Sequence, residues 1–110
     1  MATEHWSDSI WITHLTDEPM LSQDLQALLY DVEHHRQMPS LVIDLSSVNS
    51  LRSSHLSQLI LLQNCIIKGG GQIILSAPSD RIWGLFLASN LDQQFIFAEN
   101  IPVALAGLQI

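Results

Sequence analysis

The residue types best able to do chemistry lie in one short run, Ser46-Ser47-Val48-Asn49-Ser50-Leu51-Arg52-Ser53-Ser54-His55. The run follows a compact apolar segment, Leu41 to Leu45, and precedes a long apolar segment that closes on Gly69-Gly70-Gly71. Ser53, Ser54, His55 and Asp44 include the types of a nucleophile, a base and an orienting carboxylate. A hydrolase elbow, however, needs glycines beside its serine so that the backbone can turn sharply, and Arg52-Ser53-Ser54-His55-Leu56 has none. His55 would also have to reach back across a helix start to activate Ser53. A small serine hydrolase is thus only a remote alternative, and no catalytic residue is assigned.

The same serines support a different chemistry. Ser53 or Ser54 stands where the long apolar helix should begin, and a side-chain oxygen there can cap free backbone N–H groups. A phosphate at that point would meet the same donors and the positive helix end, while adding about −1.5 to −2 charge to the surface.

Two other constellations carry less. The three glycines lie between a helix and the next strand, whereas phosphate loops run from strand to helix and carry Lys-Ser/Thr after the glycines. They read as a left-handed helix stop. His5, His14, His34, His35 and His55 have no pair at the i, i+4 spacing of a metal-binding helix, and Cys65 is the one cysteine. No metal or other cofactor is expected, and the histidine spacing proposes no pH sensor.

The elements that must position the serine run follow from periodicity. Ile10 to Leu15 is β-branched and aromatic and predicts a strand near a sheet edge. Leu21, Leu25, Leu28, Leu29 and Val32 share one helical face, with Ser22 or a neighbour as cap, a basic end at His34-His35-Arg36 and a stop at Pro39. Leu41-Val42-Ile43-Asp44-Leu45 lacks clean alternation, as a central strand covered on both faces does. Leu56, Leu59, Ile60, Leu61, Leu62, Ile66 and Ile67 surround much of their helix and predict that it is largely buried. Gln72 to Leu75 reads as another buried strand. Asp80 to Ser89 follows as a helix capped by Ser79, with Ile82, Trp83, Phe86 and Leu87 for packing and Asn90 at its left-handed end. Phe95-Ile96-Phe97 is a last short strand, and Ile101 to Leu108 a helix with Pro102 in its first turn. The order β-α-β-α-β-α-β-α predicts an α/β layer sandwich with a mostly parallel sheet of four to five strands and about four helices.

Composition sets the limits. The chain has 110 residues with 47% hydrophobic content, enough for one core, and is expected to be a single domain, 1–110. Its formal net charge is −7, and the four basic residues, Arg36, Arg52, Lys68 and Arg81, are scattered. Nucleic acid and anionic lipid both require clustered positive charge, so neither is expected as a partner. Cys65 sits in an apolar run and reads as a small buried residue, in keeping with a reducing cytoplasm. The opening residues are polar and acidic, unlike a signal peptide, and Leu56 to Ile67 is too short to span a bilayer. A soluble cytoplasmic protein is expected, without direct membrane insertion.

The stretch Leu41-Val42-Ile43-Asp44-Leu45-Ser46-Ser47-Val48, then Arg52-Ser53-Ser54-His55-Leu56, then Gly69-Gly70-Gly71-Gln72-Ile73-Ile74-Leu75 resembles the STAS domain of bacterial anti-sigma-factor antagonists and sulphate transporters. Ile82 to Leu91 and Phe95 to Phe97 resemble its third helix and last strand. The resemblance implies a non-catalytic regulatory domain that binds a protein partner, a serine kinase that doubles as an anti-sigma factor, and so regulates transcription. It places the phosphorylated serine at Ser53 and partner contact at Arg52, Ser53, Ser54 and His55. In the family the serine is preceded by Asp and followed shortly by Gly; here Arg52 and His55 occupy those positions. The alternative implied by the same resemblance is an adaptor subunit holding the ATPase of an ABC-type lipid transporter, with Ser53 only a cap or contact.

Overall fold

The computed structural model describes residues 3–108. The elements are β1 (Thr3–His5), β2 (Ile10–Thr16), α1 (Met20–Glu33), β3 (Ser40–Ser47), α2 (Ser53–Lys68), β4 (Ile73–Ser76), α3 (Asp80–Ala88), β5 (Ile96–Ala98) and α4 (Ile101–Leu108). They form an α/β fold around one sheet of order β1-β2-β3-β4-β5, with β2 through β5 parallel and β1 antiparallel to β2. Because each parallel strand is laid beside its predecessor by a right-handed crossover, the three connecting helices are delivered to the same face. The large core lies there, built from Trp11, Leu15, Leu41, Ile43, Leu45, Ile73 and Leu75 of the sheet against Leu21, Leu25, Leu28, Leu59, Leu62, Ile66 and Phe86 of the helices. On the other face Ile12, Val42 and Ile74 pack against Ala104 of α4. Leu41-Val42-Ile43 is accordingly buried on both faces in the central strand, as its unbroken apolar run predicts.

Both glycine and asparagine stops behave as the sequence predicts. Gly70 has φ of 90°, and the amides of Gly70 and Gly71 return to the carbonyls of Ile67 and Ile66, the paired bonds that close a helix on a left-handed residue. Asn90, at φ 58°, ends α3 in the same way, its amide and that of Leu91 reaching Leu87 and Phe86. Ser79 caps α3, accepting from the Ile82 amide at 3.2 Å.

Several expectations need correction. The sheet has five strands and β2 lies near its edge, as expected, but the edge itself is β1, which no sequence pattern marked. Ser22 does not cap α1, whose N-cap is Pro19; its hydroxyl and amide both donate to Glu18. The α2 helix is not buried all round: Leu56, Leu59, Leu62 and Ile66 are buried, whereas Leu61 and Ile67 are 56% and 57% exposed. Trp83 and Leu87 are likewise partly exposed, at 38% and 46%, and Cys65 is half-buried at the margin of the core. Among the described residues no helix is long and apolar enough to cross a membrane.

Candidate functional site

The carboxyl ends of β2 and β3 bring two loops together beside the start of α2. In the loop after β2, Asp17 accepts from the Asn49 amide and side chain, each at 2.8 Å, and from the Ser50 amide at 3.4 Å. Those donors, the Asn49 amide foremost, hold the Asp17 carboxyl below its ordinary value. The serine run is thereby anchored at its midpoint to a different crossover.

A second anchor is His55. Its side chain is 2% exposed, although the neighbouring Arg52, Ser53 and Ser54 are all exposed. His55 Nδ1 accepts from the Arg52 amide at 2.9 Å, and His55 Nε2 lies 3.1 Å from Glu18 Oε2 and 3.3 Å from Ser22 Oγ. An imidazole nitrogen that accepts carries no proton, so this geometry requires the neutral tautomer with its proton on Nε2, donated to Glu18. Glu18 also receives the Ser22 hydroxyl at 2.6 Å and the Ser22 amide at 2.8 Å. Led by the Ser22 hydroxyl, these donors lower Glu18 from 4.5 to about 2.

This changes the assignment of the helix cap. Neither Ser53 nor Ser54 is the N-cap; Arg52 is, with extended backbone, and its carbonyl accepts from the His55 and Leu56 amides. The Arg52 guanidinium has no acceptor atom and cannot cap. His55, three positions on, instead reaches back to the Arg52 amide, as the acidic member of a capping box ordinarily does. Ser53 and Ser54 are the first two helical residues, and their amides have no protein acceptor among the described residues. The site therefore presents two hydroxyls, two free N–H groups and one guanidinium.

The structure also separates the residues of a serine triad. Asp44 is turned to His14, Nδ1 to Oδ2 2.7 Å, and to the Ser46 amide, 2.9 Å, on the opposite face of the sheet. His55 Nε2 carries a proton and faces Glu18, so it cannot take one from Ser53 or Ser22. The His55 side chain is buried and shapes the exposed turn from beneath, while Arg52, Ser53 and Ser54 are exposed on it. Sequence reasoning gave Asp17 and Glu18 no role and took Ser22 only for a cap of α1. Thr16-Asp17-Glu18-Pro19 signals only a break in periodicity, and nothing local ties it to residues some thirty positions away. Among the described residues, no group of three or more His, Cys, Asp or Glu side chains is placed to hold a metal.

A mixed sheet in this order, with three crossover helices on one face and one terminal helix on the other, matches the STAS fold. The chain is similar to an anti-sigma-factor antagonist (STAS) domain protein from Planctomyces limnophilus, with TM-score 0.84 and 16% identity over 98% of this chain and 97% of that one. A sulfate transporter family protein from Wolinella succinogenes gives 0.70 and 19% over 92% and 84%. A candidate anti-sigma factor antagonist from Thermotoga maritima gives 0.80 and 17% over 94% and 91%. No family model and no curated protein sequence matches the chain.

Proposed function

We propose that this chain is a non-catalytic regulatory module of the cytoplasm that binds a protein partner through the exposed start of α2, with phosphorylation of Ser53 as the switch. The observation that carries the reading is the position of Ser53, exposed in the first turn of α2 in a fold shared with anti-sigma factor antagonists. The partner class is a serine kinase that doubles as an anti-sigma factor. A phosphate on Ser53 lies beside the unpaired amides of the first turn and beside Arg52, so the folded domain accommodates it. On a partner-facing surface the same group introduces charge and desolvation cost, and each 1.4 kcal/mol lost is about tenfold in affinity.

The experiment is affinity capture from the native cell with wild type, Ser53→Ala and Ser53→Asp, together with the mass of the Ser53 peptide. Capture of a kinase or anti-sigma factor by wild type and Ser53→Ala, but not by Ser53→Asp, is the expected result. Equal capture by all three, with no phosphate found, removes the switch. Similarity to a sulfate transporter family protein supports a second reading, a constitutive contact with a transporter ATPase, and an ATPase captured by all three proteins selects it.

A further inference from the structure

A cavity of about 540 Å3 opens at the carboxyl ends of β4 and β5, lined by Ala77, Pro78, Trp83, Phe97, Ala98 and Glu99. It is remote in sequence and separate in lining from the Ser53 turn. Trp83 is 38% exposed yet fixed in place: its ring meets Phe97 edge to face at 4.9 Å, and Phe97 meets the fully buried Phe86 at 5.1 Å. An aromatic chain rooted in the core thus ends in a half-solvated indole, which loses little side-chain freedom when something packs on it. The floor beside it is stiff as well. Pro78 restricts its own backbone, and Ala77, at φ 54°, is held by its amide on the Ala98 carbonyl at 2.9 Å.

The charge at this cavity is unbalanced. Glu99 is exposed and makes no hydrogen bond or ion pair with any described residue. Arg81, the nearest base in sequence, sits on the other flank of α3 and lines a different cavity with Ser50 and Leu51. The whole chain carries −7. An aromatic surface beside an unpaired carboxylate, on an acidic protein, is complementary to a flat cation that stacks and donates hydrogen bonds at once. Guanidinium has that shape, whereas ammonium lacks the plane.

We infer that the Trp83–Phe97–Glu99 cavity is a docking pocket for an arginine side chain of a basic segment on a partner protein. Glu99 accepts the guanidinium N–H groups, Trp83 and Phe97 cover its apolar stem and face, and Ala77 and Pro78 wall the entrance. Trp and Arg are also the residue types that concentrate binding energy at interfaces. This surface stands apart from the Ser53 reading, so failure of either leaves the other in place.

The test is a 1H–15N titration of the full chain with a blocked Arg–Arg dipeptide, its uncharged citrulline counterpart and a blocked Leu–Leu dipeptide, reading the Trp83 indole N–H and the Glu99 amide. Saturable shifts with the arginine peptide, about tenfold weaker with citrulline and with the Glu99→Gln protein, are expected. Glu99 has no partner among the described residues, so this substitution leaves folding intact, and an unchanged spectrum elsewhere verifies it. Absence of saturable shifts, equal response to arginine and citrulline, or a stronger response to the leucine peptide overturns the proposal. A Trp83 signal that moves on diluting the protein alone assigns the cavity to a second copy and overturns it too.

Discussion

At the scale of single residues, Glu18 is where the fold most strongly stabilises a charge. Its carboxylate gathers the Ser22 hydroxyl, the Ser22 amide and the His55 Nε2–H, and its folded value falls from 4.5 to about 2. A depressed carboxylate contributes stability that is present above its unfolded value and disappears as pH falls toward its folded one. Urea denaturation across about pH 5 to pH 2 should therefore show a steeper loss for wild type than for Glu18→Gln, with the two curves converging at the acid end. Asp17 and Asp44 also have lowered values, but both are retained in the variant and cancel in the difference. Parallel curves would show that the Glu18 cluster adds nothing. The residue scale is also where the sequence was least legible. His55 reads locally as a polar group on an exposed turn; only the approach of Glu18 and Ser22 from another crossover makes it a buried cap.

Among the elements, β1 shows how little local signal a real strand can carry. Thr3-Glu4-His5 is short and polar, with no periodicity to mark it. Its stability comes from across the sheet: Thr3 Oγ1 to Thr13 Oγ1 at 2.9 Å, His5 stacked on Trp11 at 4.3 Å, and Glu4 Oε1 to His14 Nε2 at 3.1 Å. His14 has a carboxylate at each ring nitrogen, Asp44 at Nδ1 and Glu4 at Nε2, an arrangement that satisfies only the imidazolium. The Asp44 bond, followed by the Glu4 bond, raises His14 above 6.5. Asp44 is pushed up by burial, but the Ser46 amide and His14 bring it below its ordinary value on balance. A raised histidine contributes stability fully present below its unfolded value and lost as pH rises through its folded one. Protection of the β1 amides, relative to intrinsic exchange at each pH, should accordingly fall in wild type as pH rises above 6.5, whereas His14→Gln should be poorly protected throughout. Exchange independent of pH-linked opening in both proteins would remove His14 from the clasp. The stronger elements were legible because their signals are local: apolar spacing for α1, the Ser79 cap and Asn90 stop for α3, and the glycine stop for α2.

For the whole molecule, the helical face of the sheet holds the stability, and Phe86 joins its two sides. Its ring lies edge-on to Phe95 at 5.7 Å and to Phe97 at 5.1 Å, so it ties α3 to β5 and to the loop before it. Phe86→Ala should cost about 3–5 kcal/mol, a large share of a small domain's total of roughly 5–15 kcal/mol. Chemical denaturation measures it directly, and a loss under about 1 kcal/mol would mean that this part of the core collapses around the gap. Exposure of Trp83, Leu87, Leu61 and Ile67 is the matching lesson for apolar pattern, because a hydrophobic position on a helix predicts a face and not which faces find a neighbour.

The sequence by itself determined the strand and helix order, the central place of Leu41 to Leu45 and the placing of Ser53 at the start of α2. Spacing and stop residues act over a few positions and need no distant partner to be read. Only the tertiary structure decided that β1 joins the sheet, that Arg52 rather than a serine occupies the N-cap position of α2, and that His55 faces inward to Glu18. The first joins groups ten residues apart across neighbouring strands and the last groups 37 apart across a crossover, where no local preference reaches, and the short Arg52–His55 bond forms because His55 is held inward.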